Sequence, residues 1–252
     1  MTDERKIRLT QFLLLAGILL LWELAGQTGP AMWISSPSLI GTAFWESLKA
    51  MEIGYHTLVT LSEALSGLVA GAVIGVALGL LLGASRIVGP ALEPFVIALN
   101  SLPRVALAPL IIMFVGIGFA SKFLLAFSLV VVPMMINTYE GIRTTDAIMI
   151  NVMRVMRASR TQIFFKVLLP NCVPWIFSGL RVSISFAIIG AIVGELISSR
   201  AGIGFMIDNA AGSFDATGML MPLMVLMLVS FGFDRAVLAA SRHFLRWRDG
   251  AS

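Results

Sequence analysis

The chain has 252 residues, 58% hydrophobic and 13% charged, with a mean hydropathy of +0.93; too few polar side chains remain to cover a water-soluble globule, so its solvent is largely lipid. A net charge of +4 and an isoelectric point near 9.7 do not indicate nucleic acid, because the basic residues lie between apolar runs rather than in one patch. The lone Cys172 excludes an intrachain disulfide, and His56 and His243, far apart in sequence, make no zinc ligand set.

Apolar stretches able to cross about 30 Å of hydrocarbon recur at roughly 9–26, 58–84, 91–117, 119–138, 172–198 and 218–240. They predict an all-α, polytopic membrane protein with six transmembrane helices, residues 1–252 forming one transmembrane domain. The first stretch follows Arg5, Lys6 and Arg8, the charged start of a signal peptide, but it is long enough to span and lacks a small-x-small cleavage site. It is read as an uncleaved first span. From Gln27 to Tyr55, a segment with Pro30 and Pro37 reads as a surface loop carrying a short helix from Ser38 to Met51, with Trp33 and Trp45 suited to the membrane interface.

The second span places Gly67, Gly71, Gly75, Gly79 and Gly83 at every fourth residue. That spacing makes a groove along one helix face, into which another helix backbone can pack. In the third span Pro94, Pro103 and Pro109 each remove a backbone donor, and a break is predicted near Pro103, with Asn100 and Arg104 beside it. Broken backbone at membrane depth must face protein or a water-filled cavity, so this span should face the bundle interior.

With six spans both termini lie on one side. Thirteen of the eighteen Lys and Arg residues, from Arg5 through the intervening loops to Arg246 and Arg248, then share that side; Lys49, Lys122 and Arg200 lie on the other, and Arg104 and Arg181 lie within spans. The excess predicts an N-in, C-in orientation.

Between the fourth and fifth spans, residues 140–170 form a loop too polar to span and rich in helix formers. Thr144, Thr145 or Asp146 can cap a helix in which Ile148, Val152, Val155 and Met156 form one apolar stripe, with Arg154, Arg157 and Arg160 on the remaining surface. A second helical stretch is expected from Thr161 to Leu169, with Pro170 marking the start of the fifth span. Two short amphipathic helices of this kind can lie on anionic lipid, dock a soluble partner or pack on their own bundle. The fifth span itself holds Arg181, Ser183 and Ser185, then Gly190, Gly194 and Glu195. Ionisable groups inside a membrane are functional candidates, so Asn100, Arg104, Arg181, Ser185 and Glu195 are the candidates for a translocation path. The competing readings are a snorkelling or structural Arg181 and an interfacial Glu195.

The run from Arg157 to Pro170 (RASRTQIFFKVLLP), continuing through Val173, Pro174, Gly179, Leu180 and Arg181, resembles the loop of permeases of binding-protein-dependent ABC importers, most closely the nitrate/sulfonate/taurine branch. Further matching pieces, in the family's order, are Thr57 to Gly67 (TLVTLSEALSG), Leu99 to Leu110 (LNSLPRVALAPL), Phe114 to Gly118 with Ser121 and Lys122, Gly194 to Leu196, and Ala201 to Gly204. The family's loop signature ends in Leu-Pro, here Leu169 and Pro170. Its start departs, with Asn151, Val152 and Met153 where Glu-Ala-Ala is usual and Arg157 where glycine is usual; in a left-handed turn the arginine would cost about 1 kcal/mol or force another turn.

The resemblance implies that this loop is a coupling helix docking into a cytoplasmic ATPase subunit through Asn151, Arg154, Val155, Arg157, Ala158, Ser159 and Arg160. It also implies a homodimer of permeases, an extracytoplasmic binding protein, a bacterial inner-membrane location, and ATP bound by the partner with no cofactor in this chain. No G-x4-GK[ST] phosphate loop, Ser/His/Asp arrangement or His-Glu-x-x-His is found, so no enzymatic activity is expected of the chain itself. The cargo expected from the branch is a small oxyanion or organosulfonate, with a pyrimidine vitamin precursor or another small organic compound as the alternative. Two rivals remain: an ion-coupled secondary transporter, which needs midplane acidic groups and often a visible repeat, and an intramembrane enzyme, which needs convergent catalytic groups at one depth.

Overall fold

The structure is a computed structural model that describes residues 3–30 and 33–244. Every regular element in that range is helical: α1 (Asp3–Thr28), α2 (Pro37–Lys49), α3 (Glu52–Ala84), α4 (Val88–Ser101), α5 (Ala108–Val115), α6 (Phe119–Arg143), α7 (Ala147–Val155), α8 (Arg160–Ile163), α9 (Leu169–Ile197), α10 (Ile203–Gly212) and α11 (Ala216–Phe244). Five are long and apolar enough to cross a membrane, and α4 with α5 makes a sixth if the bent pair is one span. The bend is 73°. It falls at the break expected near Pro103: α4 ends at Ser101, Leu102 is extended, and a 3-10 turn over Arg104–Leu107 leads into α5, where Pro109 sits in the first turn and costs no hydrogen bond. Arg246 and Arg248, counted in the charge bias, lie outside the described residues.

The chain divides into two compact units, residues 1–59 with 200–227 and residues 60–199 with 228–252. In the first unit the connection after α1 is tied by polar contacts. Trp22 Nε1 donates to the Ser35 carbonyl at 2.9 Å, Ser35 Oγ lies 2.8 Å from Thr217 Oγ1, and Glu23 Oε2 accepts from the Ser38 amide at 3.0 Å. The expected loop helix is α2, capped by Ser36, whose hydroxyl accepts from the Leu39 amide. Trp33 and Trp45 are exposed, as interface anchors would be. His56, in the first turns of α3, accepts from the Gly202 amide through Nδ1 at 2.9 Å and stacks on Phe205.

In the second unit α6 is the central element. The α3 glycines meet it rung by rung, with Gly67 against Ala126, Gly71 against Val130, Gly75 against Met134, Gly79 against Thr138 and Gly83 against Ile142. Both rows advance by four residues in the same direction, so α3 and α6 run parallel. A methyl group at Gly75 would lie 2.6 Å from the Val131 carbonyl oxygen and one at Gly79 2.6 Å from that of Met135, so only glycine permits this approach. The groove is therefore a packing surface. On its other side α6 meets α9 antiparallel: Lys122 opposes Gly194, Ala126 opposes Gly190, Asn137 opposes Gly179, and Gly141 opposes Cys172 and Trp175. The last turn of α6 is tied to α4 by an Arg143–Glu93 ion pair, with Tyr139 donating to Glu93 Oε2 at 3.2 Å.

Candidate functional site

Asp146 is the residue that caps the loop's first helix, its carboxylate accepting from the Ile148 amide at 2.8 Å. The stripe predicted on α7 is present and uncovered: Ile148, Val152 and Val155 of the helix and Met156 at its end are 69%, 53%, 85% and 73% exposed. Packing on the chain's own bundle, one of the three roles open to such helices, is therefore not what this stripe does. Arg154 and Arg157 are exposed around it, as is Arg160 at the start of α8, while Asn151 Oδ1 accepts from Arg154.

Arg157 adopts φ +58°, so the left-handed turn between α7 and α8 is kept although arginine replaces the glycine that would suit it. Ala158 follows, and Ser159 then starts α8 with a capping box, its hydroxyl accepting from the Gln162 amide while the Gln162 side chain accepts from the Ser159 amide. The second stretch is not a separate helix ending at Leu169. Pro170 brings no amide hydrogen and its ring crowds the Lys166 carbonyl, and a wide π turn over Phe164–Leu168 absorbs both effects. Residues Arg160–Ile197 consequently run as one helix from the loop through the fifth span.

The path candidates separate. Arg104, half-buried at the break, donates to the Ser128 carbonyl at 2.6 Å and to Asn100 Oδ1 at 3.1 Å, both neutral acceptors. Arg181 instead makes a two-pronged ion pair with Asp234 of α11, Nε to Oδ1 at 2.7 Å and Nη2 to Oδ2 at 3.0 Å. Ser185, one turn further along α9, is exposed on the same face as Arg181. Glu195 is 1% exposed and accepts from the Thr60 hydroxyl at 2.7 Å. It stands inside the second unit, not on its surface.

Beside Glu195 are two residues the sequence reading did not single out as candidates, Glu63 and Lys122, 4% and 3% exposed. Their signal was in the ladder. Glu63 lies one rung before Gly67, and Lys122 one rung before Ala126 in the facing row.

The family profile described as "Binding-protein-dependent transport system inner membrane component" matches residues 71–246. The chain is 39% identical to the riboflavin transport system permease protein RibX of Chloroflexus aurantiacus, over 91% of this chain and 87% of that one, and 32% identical to the aliphatic sulfonates transport permease protein SsuC of Escherichia coli, named there as putative, over 96% and 92%. In fold it is similar to a chain of the inward-facing MetNI methionine ABC transporter, with a TM-score of 0.66 at 20% identity over 74% of this chain and 93% of that one.

Proposed function

The chain belongs to the family of binding-protein-dependent transport system inner membrane components, and from that premise we propose that its loop from Glu140 to Pro170 is the seat of a cytoplasmic ATPase subunit. It is the multi-pass inner-membrane permease subunit of an ATP-driven importer, one that works with an ATPase and a solute-binding protein. The observation that carries the docking proposal is the uncovered apolar stripe of α7, flanked by Arg154, Arg157 and Arg160 and joined through the Arg157 turn to the α8–α9 helix. An apolar helix face left open beside fixed charges suits a partner's cleft.

In this reading the termini are cytoplasmic, residues 1–252 act as one permease domain, and two copies enclose the pathway. The partner binds and hydrolyses ATP. Closure of the ATPase pair pushes the loops together, the outer face opens to accept solute from the binding protein, and hydrolysis resets the cycle. Charge reversal of Arg154, Arg157 and Arg160 to Glu tests the docking: the variant should remain folded in membranes and lose its ATPase on co-purification. Retention of the ATPase would return the loop to the lipid surface.

For the cargo we propose a small organic solute, with the sulfonate and riboflavin permeases as the chemical guides. Arg181 is already balanced by Asp234, whereas Arg104 has only neutral acceptors, which supports Arg104 over Arg181 as the group that meets an anionic cargo. Arg104→Gln should lower uptake of an acidic cargo about tenfold, the loss of one charge-assisted hydrogen bond, and leave uptake of a neutral one unchanged in vesicle assays.

A further inference from the structure

Glu63 on α3, Lys122 on α6 and Glu195 on α9 form a buried ionisable cluster within the second unit. The stem of Lys122 lies against Gly194, where an added Cβ would stand 2.7 Å from Lys122 Cγ, so the lysine runs beside Glu195. Glu63 is within hydrogen-bonding reach of Glu195, and the lysine charge acts on Glu63. The remaining charged or titratable groups of these helices are engaged or placed elsewhere. His56 accepts from Gly202, Arg143 pairs with Glu93, Arg181 pairs with Asp234, Glu52 opens α3 about three turns before Glu63, and Glu140 stands at the far end of α6 from Lys122.

Two carboxylates and one ammonium would leave an excess negative charge where the dielectric is low. Two ionised carboxylates, moreover, only accept hydrogen bonds and cannot bond to each other. A proton between them solves both problems. The surroundings also say which residue carries it. Glu195 Oε1 receives the Thr60 hydroxyl, as an ionised group requires, whereas Glu63 Oε2 is buried with no hydrogen-bond partner among the described residues. An oxygen left without a donor is least costly as the carbonyl oxygen of a neutral acid whose O–H points to the other carboxylate.

We propose that Glu63 and Glu195 form a proton-binding site, the proton residing on Glu63 and donated to Glu195, so that with Lys122 the cluster is an electrically neutral pin joining α3, α6 and α9. Infrared difference spectroscopy of the assembled transporter in lipid, wild type against Glu63→Gln, is the test. The wild type should show a protonated-carboxyl band that Glu63→Gln removes, and the band should persist at pH 8, far above the value of about 4.3 for a free glutamate. Glu63→Gln should also melt within about 2 °C of wild type, because the amide donates to Glu195 as the acid did, while Glu63→Ala melts several degrees lower. No band, a band untouched by the substitution, or a Gln variant as unstable as the Ala variant overturns the proposal. If Glu63→Gln does not fold, pH titration of the wild type decides alone: persistence of the band to pH 8 supports the site, and its loss through the ordinary glutamate range overturns it.

Discussion

Two consecutive helices, α6 and α7, dispose of their apolar residues in opposite ways. Along α6, Leu125, Ala126, Leu129, Val130 and Met134 are all at most 5% exposed, covered by the glycine face of α3 on one side and by α9 on the other. Along α7, residues as apolar as these are more than half exposed. The α6 packing is complete within the chain, so its substitutions should act on folding. The α7 surface is complete only against something else, so its substitutions should act on assembly.

The comparison breaks most forcefully at the ladder. Gly75→Val should destabilise the permease by about 3 kcal/mol, because the new side chain meets the Val131 carbonyl and the Met134 Cβ and neither can retreat; little folded protein should elute on size exclusion. Gly54→Ala in the same helix, with open space around it, should change stability by less than about 0.5 kcal/mol. Equal losses at both positions would erase the distinction. The triple charge reversal on the loop should come next, weakening ATPase affinity about tenfold to a hundredfold, or about 1.4 to 2.8 kcal/mol, with no change in melting temperature. Arg157→Gly is the smallest and runs the other way. Glycine relieves the left-handed turn of about 1 kcal/mol, a gain partly offset by its greater freedom in the unfolded chain, so the melting temperature should hold or rise slightly.

Much of this was legible beforehand because it rests on spacing. A four-residue glycine period specifies a close helix contact, and three prolines specify a broken span. The loop helix Pro37–Lys49 was also visible from its composition. What failed to show were features that depend on the partner element. The sequence does not say that α6 is the helix filling the groove. Without that, Glu63 and Lys122 stayed invisible as neighbours, and Lys122 was counted as a charge on the outer side although it is buried in the first turn of α6. Asp234 was missed for the same reason, since its role follows from the approach of α11 to Arg181. The π turn at Phe164–Leu168 escaped because Pro170 ordinarily marks a helix start, and here a wider turn lets the helix continue through it.

That continuity gives the fifth span a mechanical character. Thirty-eight residues from Arg160 to Ile197 make a rod about 57 Å long at about 1.5 Å per residue. A rod pivoting near one end converts a tilt of about 5° into a stroke of about 5 Å at the other, at that rise per residue. With the Arg157 turn at its foot and Glu195 near its tip, one helix connects the exposed loop to the buried cluster.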